Sequence, residues 1–427
     1  MITYNTLIVL LGTSLLGANC GLVGSFALLR RRALIGDTLA HATLPGLCLA
    51  FLLLGYRSLP AMLVGAFVTG VMGIVTVALL RHWTRIKEDA CLGIVLSVFF
   101  GWGIVLIKLI QNETTSGSKA GLDSYIFGKT AGMIAQDVMI IGGVSLFCLL
   151  VVMLLFKEFK LVAFDASFAR AQGWPAVLLD LALMGLVALT VVIGLPAVGV
   201  VLIAALLIMP GAAARFWTER LESMLLVSAF VGFVVGLVGT SISARVDNAP
   251  AGPVLVLVGS SIFMLSMFFA PRRGLVARLV ADRRSRLRLE NRRFLEVLFD
   301  LMEPALPERQ PIALADVLDH RGWSSRDLGR LVDRAEKHGW VDRVDREKLR
   351  ATEKGLRKGA RYALSHRLWL TFLDEHPDQI AAYANLSSTD PAELLPADLM
   401  ESVRGKLLAS GRWPSADLLE TSEELSR

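Results

Sequence analysis

Cysteine is scarce and stops early: there are four in 427 residues, Cys20, Cys48, Cys91 and Cys148. Each falls inside an apolar run, which excludes the regularly spaced framework of a disulfide-stapled domain. The chain has no H-E-x-x-H, C-x-x-C or G-x-S-x-G, so neither a hydrolytic zinc site nor a catalytic nucleophile has support. Gly128-Lys129-Thr130 resembles the end of a phosphate loop, yet Asp123 stands where that motif needs its first glycine. No basic stretch precedes the first apolar run, so that run reads as a retained helix and not a cleaved leader.

Charge is also scarce, but only in the first part. Residues 1–270 hold 16 Lys/Arg and 12 Asp/Glu, whereas the shorter remainder holds 28 and 26. Hydrophobic residues make up 54% of the chain and mean hydropathy is +0.57, above the ordinary soluble range. The first part therefore reads as membrane-embedded and the second as soluble. The net charge of +6 does not by itself indicate nucleic acid, because the soluble part carries only +2 of it. Much of the excess sits in short clusters at the ends of apolar runs, as on the cytoplasmic side of a membrane protein.

A spanning helix needs about 20 mostly apolar residues. By that measure the sequence predicts an all-α polytopic bundle of nine spans, at 5–29, 33–55, 60–80, 90–110, 136–156, 175–194, 196–214, 222–243 and 252–270. Basic connectors follow the first, third, fifth, seventh and ninth: Arg30-Arg31-Arg32, Arg81 to Lys87, Lys157 to Lys160, Arg215 to Arg220, and Arg272-Arg273. All five fall on one side of the membrane, which the positive-inside rule makes cytoplasmic, with the N-terminus outside. GANCG at 17–21 and GFVVG at 232–236 share the G-x-x-x-G spacing that lets helix backbones approach closely; merely small positions are an equal reading of either motif alone.

The pattern changes after this membrane domain, 1–271. Residues 272–286 read as a basic linker, followed by helices over 287–301, 312–318 and 325–338, the last capped by Ser324-Ser325. An alternating, then charged run over 339–359 predicts a two-stranded ribbon. Three helices and a ribbon make a winged-helix domain over 287–362, and a further helix, 363–376, opens a polar tail to residue 427.

The polar residues inside the apolar part carry the chemistry. GDTLAHATLPG, 36–46, places Asp37 and His41 four apart, hence on one helix face, with Pro45 beyond. An ionised group at the bilayer centre costs at least ~2.5–3.5 kcal/mol, so the pair marks a functional site by default. Pro45 removes the backbone hydrogen bond to residue 41 and weakens the helix beside His41. Carboxylate plus imidazole is a borderline ligand set that suits Mn, Fe or Zn better than an alkali ion. A hydrogen-bonded pair that only pins two helices is the plainer alternative. Cys48, seven residues beyond His41, is a candidate soft third ligand, although a small buried cysteine is commoner. Asp247 and Asn248, in an outer loop, could help admit a cation, or form a solvated turn. FDASFARAQGWP, 164–175, reads as a short amphipathic cytoplasmic helix able to dock a partner, or as an ordinary loop.

GDTLAHATLPGLCLAFLLLG, YIFGKTAGMIAQDV (125–138), LPAVGVVLIAALLIMPGAAARF (195–216) and APAGPVLVLVGSSIFMLSMFFAP (249–271) resemble, in order, the ABC-3 type integral membrane permeases of bacterial importers for manganese, zinc or ferrous iron. The resemblance covers about residues 5–271. It implies a type II importer-like helical subunit of the cytoplasmic (inner) membrane, working as a dimer of identical or related permease chains. Its implied partners are two separate ATP-binding cassette subunits and an external metal-binding protein. It also implies that Asp37 and His41 lie in the translocation path, and that 164–173, with Phe164, Asp165, Ala169 and Gly173, contacts the ATPase. No cofactor is implied beyond the transported metal, with manganese first, and ATP hydrolysis is expected on the separate subunits, so this chain is a transport subunit and not an enzyme.

Residues 287–376 resemble, less specifically, metal-dependent repressors of the diphtheria-toxin-repressor type. That likeness makes His366, Glu375 and His376 candidate regulatory metal ligands, while the second ligand cluster of those repressors is largely missing. Residues 287–367 hold 18 basic and 14 acidic residues, too balanced for an electrostatic footprint on nucleic acid, so a docking or stabilising role is expected. Two other functions fit the same residues: a proton-coupled secondary metal transporter, and a membrane-tethered, metal-responsive transcription regulator.

Overall fold

The computed structural model describes residues 4–30, 32, 34–56, 58–113, 128, 130–246, 249–271, 273–377 and 395–414. The chain divides into two compact units, Met1–Arg278 and Leu279–Arg427.

The first unit is a bundle of apolar helices. α1 (Tyr4–Leu29) is followed by a broken segment, α2 (Ile35–Ala42) and α3 (Leu44–Leu54). Then come α4 (Leu59–Trp83), α5 (Glu88–Glu113), α6 (Ala135–Leu154) and two short helices, α7 (Phe156–Phe164) and α8 (Ala166–Ala171). α9 (Ala176–Val198), α10 (Val200–Trp217), α11 (Leu221–Ser243) and α12 (Ala251–Phe269) complete it. Among the described residues eight segments are long and apolar enough to cross a membrane, with α2 and α3 counted together. The seventh of the nine expected spans is the exception: Gly199, at φ +87°, ends α9 and starts α10, whose described apolar stretch, Leu202–Trp217, is shorter.

The two G-x-x-x-G motifs face each other. A Cβ on Gly17 would overlap the Gly232 carbonyl, and one on Gly232 the Gly17 carbonyl. Gly21 meets the Ser228 backbone in the same way, and Gly236 meets Thr13. The close approach lets side chains bond to the opposite backbone: Ser228 Oγ donates to Gly21 O at 2.7 Å, and Thr13 and Thr240 share a 2.7 Å hydrogen bond. Packing of small residues with interhelical hydrogen bonds is what holds helices together where lipid removes the hydrophobic incentive.

α13 is a single helix over Leu275–Met302 that begins at the end of the first unit and continues into the second, so the segment expected as a linker, 272–286, is helical from Leu275 onward. Its Phe294, Leu295, Leu298 and Phe299 enter a small core. Ile312–Ala313, expected to start a helix, is strand β1, and α14 (Leu314–Arg321) and α15 (Ser325–Lys337) follow it. Ser324 caps α15, its Oγ accepting from Asp327 N–H at 3.2 Å. β2 (Val341–Arg343) and β3 (Lys348–Ala351) form the ribbon, and β1 pairs with β3, giving an antiparallel sheet of order β1-β3-β2.

The ribbon is shorter than expected because α16 (Glu353–Glu375) starts inside it and runs through residue 362, expected as a domain boundary. Thr352 caps this helix, and its two early glycines are contact points and not breakers. A Cβ on Gly355 would overlap the Trp340 carbonyl, and one on Gly359 would crowd Leu295 O. α17 (Ala397–Ala409) packs its Val403 and Leu407 against Leu364, Leu368 and Phe372 of α16.

Candidate metal site

Asp37 and His41 lie in α2, one turn apart, with His41 Nε2 3.4 Å from Asp37 Oδ1. The imidazole is 17% exposed and the carboxylate 41%. Phe100 of α5 meets the imidazole edge-on, with centroids 4.7 Å apart and planes at 76°, which fixes the ring so that Nε2 faces the carboxylate. His41 Nδ1 is buried and has no hydrogen-bond partner among the described residues.

The pair has the bite of one small cation. Ligand bonds of about 2.1 Å to a carboxylate oxygen and an imidazole nitrogen separate those atoms by about 3.0–3.4 Å at angles of about 90–109°. Among the described residues no third His, Cys, Asp or Glu joins them. Cys48 does not supply one: it is buried beyond the helix break, among Leu47, Phe51, Met62 and Ala66. Spacing by seven aligns residues only on an unbroken helix, and α2 ends at Ala42. A cation held by these two groups alone would have the rest of its shell filled by exchangeable ligands.

The break itself is local chemistry. Pro45 enters the first turn of α3 without an N–H, and Thr43 Oγ1 donates to Ala40 O at 2.7 Å, closing the end of α2. The loosened strip is held by close contacts. A Cβ on Gly46 would overlap Gly65 O and Thr69 Oγ1 of α4, while Gly103 of α5 leaves room for Leu44 and Pro45.

Sequence reasoning missed the groups at the base of α2. Arg30 and Arg32, read as part of a cytoplasmic basic connector, are mostly buried. Arg30 Nη2 reaches Asp180 Oδ1 at 2.7 Å, and Arg32 Nη1 reaches Asp180 Oδ2 at 2.9 Å. Arg32 Nε also pairs with Glu88, which takes Arg81 at 3.2 Å. Asp180 inside a predicted span was the available signal, since a buried carboxylate calls for a cation. Lys160–Glu222 at 2.7 Å and Arg273–Glu219 at 3.8 Å join other basic connectors to the start of α11.

Phe164, Asp165, Ala169 and Gly173 form one compact surface element. Asp165 caps α8, its Oδ1 accepting from Ser167 N–H at 3.0 Å, Phe168 N–H at 2.9 Å and Ser167 Oγ at 2.5 Å. The Ser167 hydroxyl first, and then the Phe168 N–H, hold its carboxyl below the usual range. Ala169 is buried and anchors the turn, and Gly173, at φ +83°, ends it. Phe164, Phe168 and Trp174 are left exposed around this anchor. Phe168 and Trp174 are the additional residues here that spacing did not single out. Asp247 and Asn248 lie outside the described residues, as does most of 114–129.

In the second unit the three candidate regulatory ligands have separate partners. His366 Nδ1 is 2.6 Å from Glu296 Oε1, Glu375 pairs with Lys406, and His376 lies against Phe372. His366 and His376 are ten residues apart, about 15 Å along a helix, beyond the span of one ion. Three basic residues on and beside α15 pair with carboxylates of the unit: Arg330 with Asp327 at 2.5 Å, Arg334 with Glu290 at 3.5 Å, and Arg343 with Asp333 at 2.5 Å.

A family model described as the ABC 3 transport family matches residues 3–270. The chain is 38% identical to the manganese transport system membrane protein MntC of Bacillus subtilis, over 96% of this chain and 93% of that one. It is 42% identical to the zinc transport system membrane protein TroC of Treponema pallidum, over 65% of this chain and 92% of that one. Among solved structures it resembles PsaBC from Streptococcus pneumoniae in complex with Fab, with a TM-score of 0.57 and 32% identity over 64% of this chain and 94% of that one.

Proposed function

The chain belongs to the ABC 3 transport family, and from that premise we propose that Asp37 and His41 hold the transported metal in passage, with manganese as its first cargo. The coarser statement is plain: this is the multi-pass membrane permease of a metal ABC importer, of the manganese, zinc or chelated-iron kind, and not a catalytic subunit. Its all-α, type II importer-like architecture is the one expected from the sequence. ATPase and binding-protein partners follow from that membership. Beyond it, we assign the ATPase contact to Phe164, Asp165, Ala169 and Gly173, with Phe168 and Trp174 as its aromatic rim. The side carrying Arg30, Arg81, Lys160 and Arg273 is the cytoplasmic one, and a second permease chain completes the pathway.

One observation carries the metal assignment: a carboxylate and an imidazole 3.4 Å apart in a helix pair with no other charged residue, with the ring fixed by Phe100. Manganese ranks first because the relative matched along nearly the whole chain, extension included, is a manganese system protein. Asp37→Ala and His41→Ala are each expected to abolish uptake of radiolabelled manganese and zinc while leaving the amount of protein in the membrane unchanged. Undiminished uptake of both metals in both variants overturns the assignment.

For the second unit we infer a winged-helix module that docks or stabilises the assembly. What supports this over DNA binding is the neutralisation of Arg330, Arg334 and Arg343 by carboxylates of the same unit.

A further inference from the structure

At the foot of α2 two groups with different assignments are tied to one carboxylate. Arg30 Nη1 donates to Val162 O of α7 at 2.6 Å, two residues before Phe164. The same guanidinium binds one oxygen of Asp180, and Arg32 binds the other. Arg32 in turn closes the start of α2: its carbonyl accepts the N–H of Ile35 at 3.1 Å, two residues before Asp37. An unbroken line thus runs from α7 through Arg30, Asp180 and Arg32 to the helix bearing Asp37 and His41. The Arg32 side chain is 8% exposed and that of Asp180 21%. Beside this line is a cavity of about 490 Å³ that touches Thr38 and Leu39 of α2 on one wall and Arg170 of α8 on another. Solid packing resists displacement, and the cavity leaves α2 room to shift on that side.

We propose that Asp180, through Arg30 and Arg32, carries displacement of α7–α8 to α2, so that these three are positioning residues for release of the metal. The proposal rests on the reading of Asp37 and His41 as the metal site and of 164–173 as the ATPase contact. Paired buried charges suit this task because breaking one partner leaves the other uncompensated, which makes the set move together.

The test uses the full permease–ATPase assembly in proteoliposomes, with three readouts: ATPase co-purification, ATP hydrolysis, and uptake of radiolabelled manganese and zinc. Asp180→Asn keeps the volume and weakens both arginine contacts. It is expected to retain co-purification and hydrolysis, while metal carried per ATP falls roughly tenfold or more, within the roughly 5–150-fold typical of coupling between sites. A second variant, Arg30→Met with Arg32→Met and Asp180→Leu, fills the space with apolar groups, a replacement often neutral for stability, and Glu88 keeps Arg81 as its partner. It is expected to keep its thermal stability and still not transport. Normal uptake in Asp180→Asn, recovery of uptake in the apolar triple variant, or loss of ATPase co-purification in step with uptake overturns the proposal. If Asp37→Ala transports normally while Asp180→Asn does not, the metal-site reading fails and the linkage survives it.

Discussion

A carboxylate and an imidazole in a spanning segment need a reason for each side chain. For Asp37 the facing His41 Nε2 supplies a polar partner, and for His41 the edge of Phe100 fixes the ring. Neither contact uses the buried Nδ1, so the imidazole is held by shape more than by hydrogen bonds. Asp165 is the opposite kind of residue, exposed and saturated with donors. Its folded pKa is depressed by the Ser167 hydroxyl and the Phe168 N–H. The cap is therefore complete above the unfolded aspartate value of about 3.9 and persists somewhat below it, being lost as pH falls through the folded value. A carbon-13 carboxyl titration of Asp165 is expected to give a midpoint below that of aspartate in an unfolded peptide of the same sequence. A midpoint at or above the peptide's would remove the Ser167 and Phe168 bonds from the account.

Among the elements, the α2–α3 break is the one whose mechanical role is open to a direct test. Pro45→Ala restores an N–H able to reach the His41 carbonyl and so joins the two helices. Thermal stability is expected to hold or rise, by up to ~3 kcal/mol, while metal uptake falls, because Asp37 and His41 lose the compliance beside them. A thermal melt read together with radiolabelled uptake checks both, and wild-type uptake in a stabilised variant would leave the break as packing alone. The break was legible, since Asp37, His41 and Pro45 stand together in eleven residues. Eight of the nine expected spans were legible too, because length and apolarity are nearly all a bilayer asks. The burial of Arg30 and Arg32 was not: a basic cluster after a span looks the same whether it faces water or Asp180, 148 residues further on. Nor was the reach of α13, because a basic composition reads as linker until its apolar residues are seen packing in the core of the second unit.

For the molecule as a whole, the comparisons separate what is required from what is added. The Treponema pallidum relative is matched over 92% of its length by only 65% of this chain, so a transport subunit of that family is built without the second unit. Removal of residues 279–427 is expected to leave a protein that inserts and takes up metal at a rate close to that of the full chain, with its effect falling on the amount or lifetime of the assembly. Uptake and membrane abundance measured together check this, and loss of uptake at normal abundance would make the second unit part of the transport cycle. The facing glycines of α1 and α11 belong to the required part. At Gly17, Gly21, Gly232 and Gly236 there is no space for even a methyl group. Descent from a common ancestor would hold such positions as fixed as a ligand, and invariance along this seam would record the distance between two backbones and nothing about cargo.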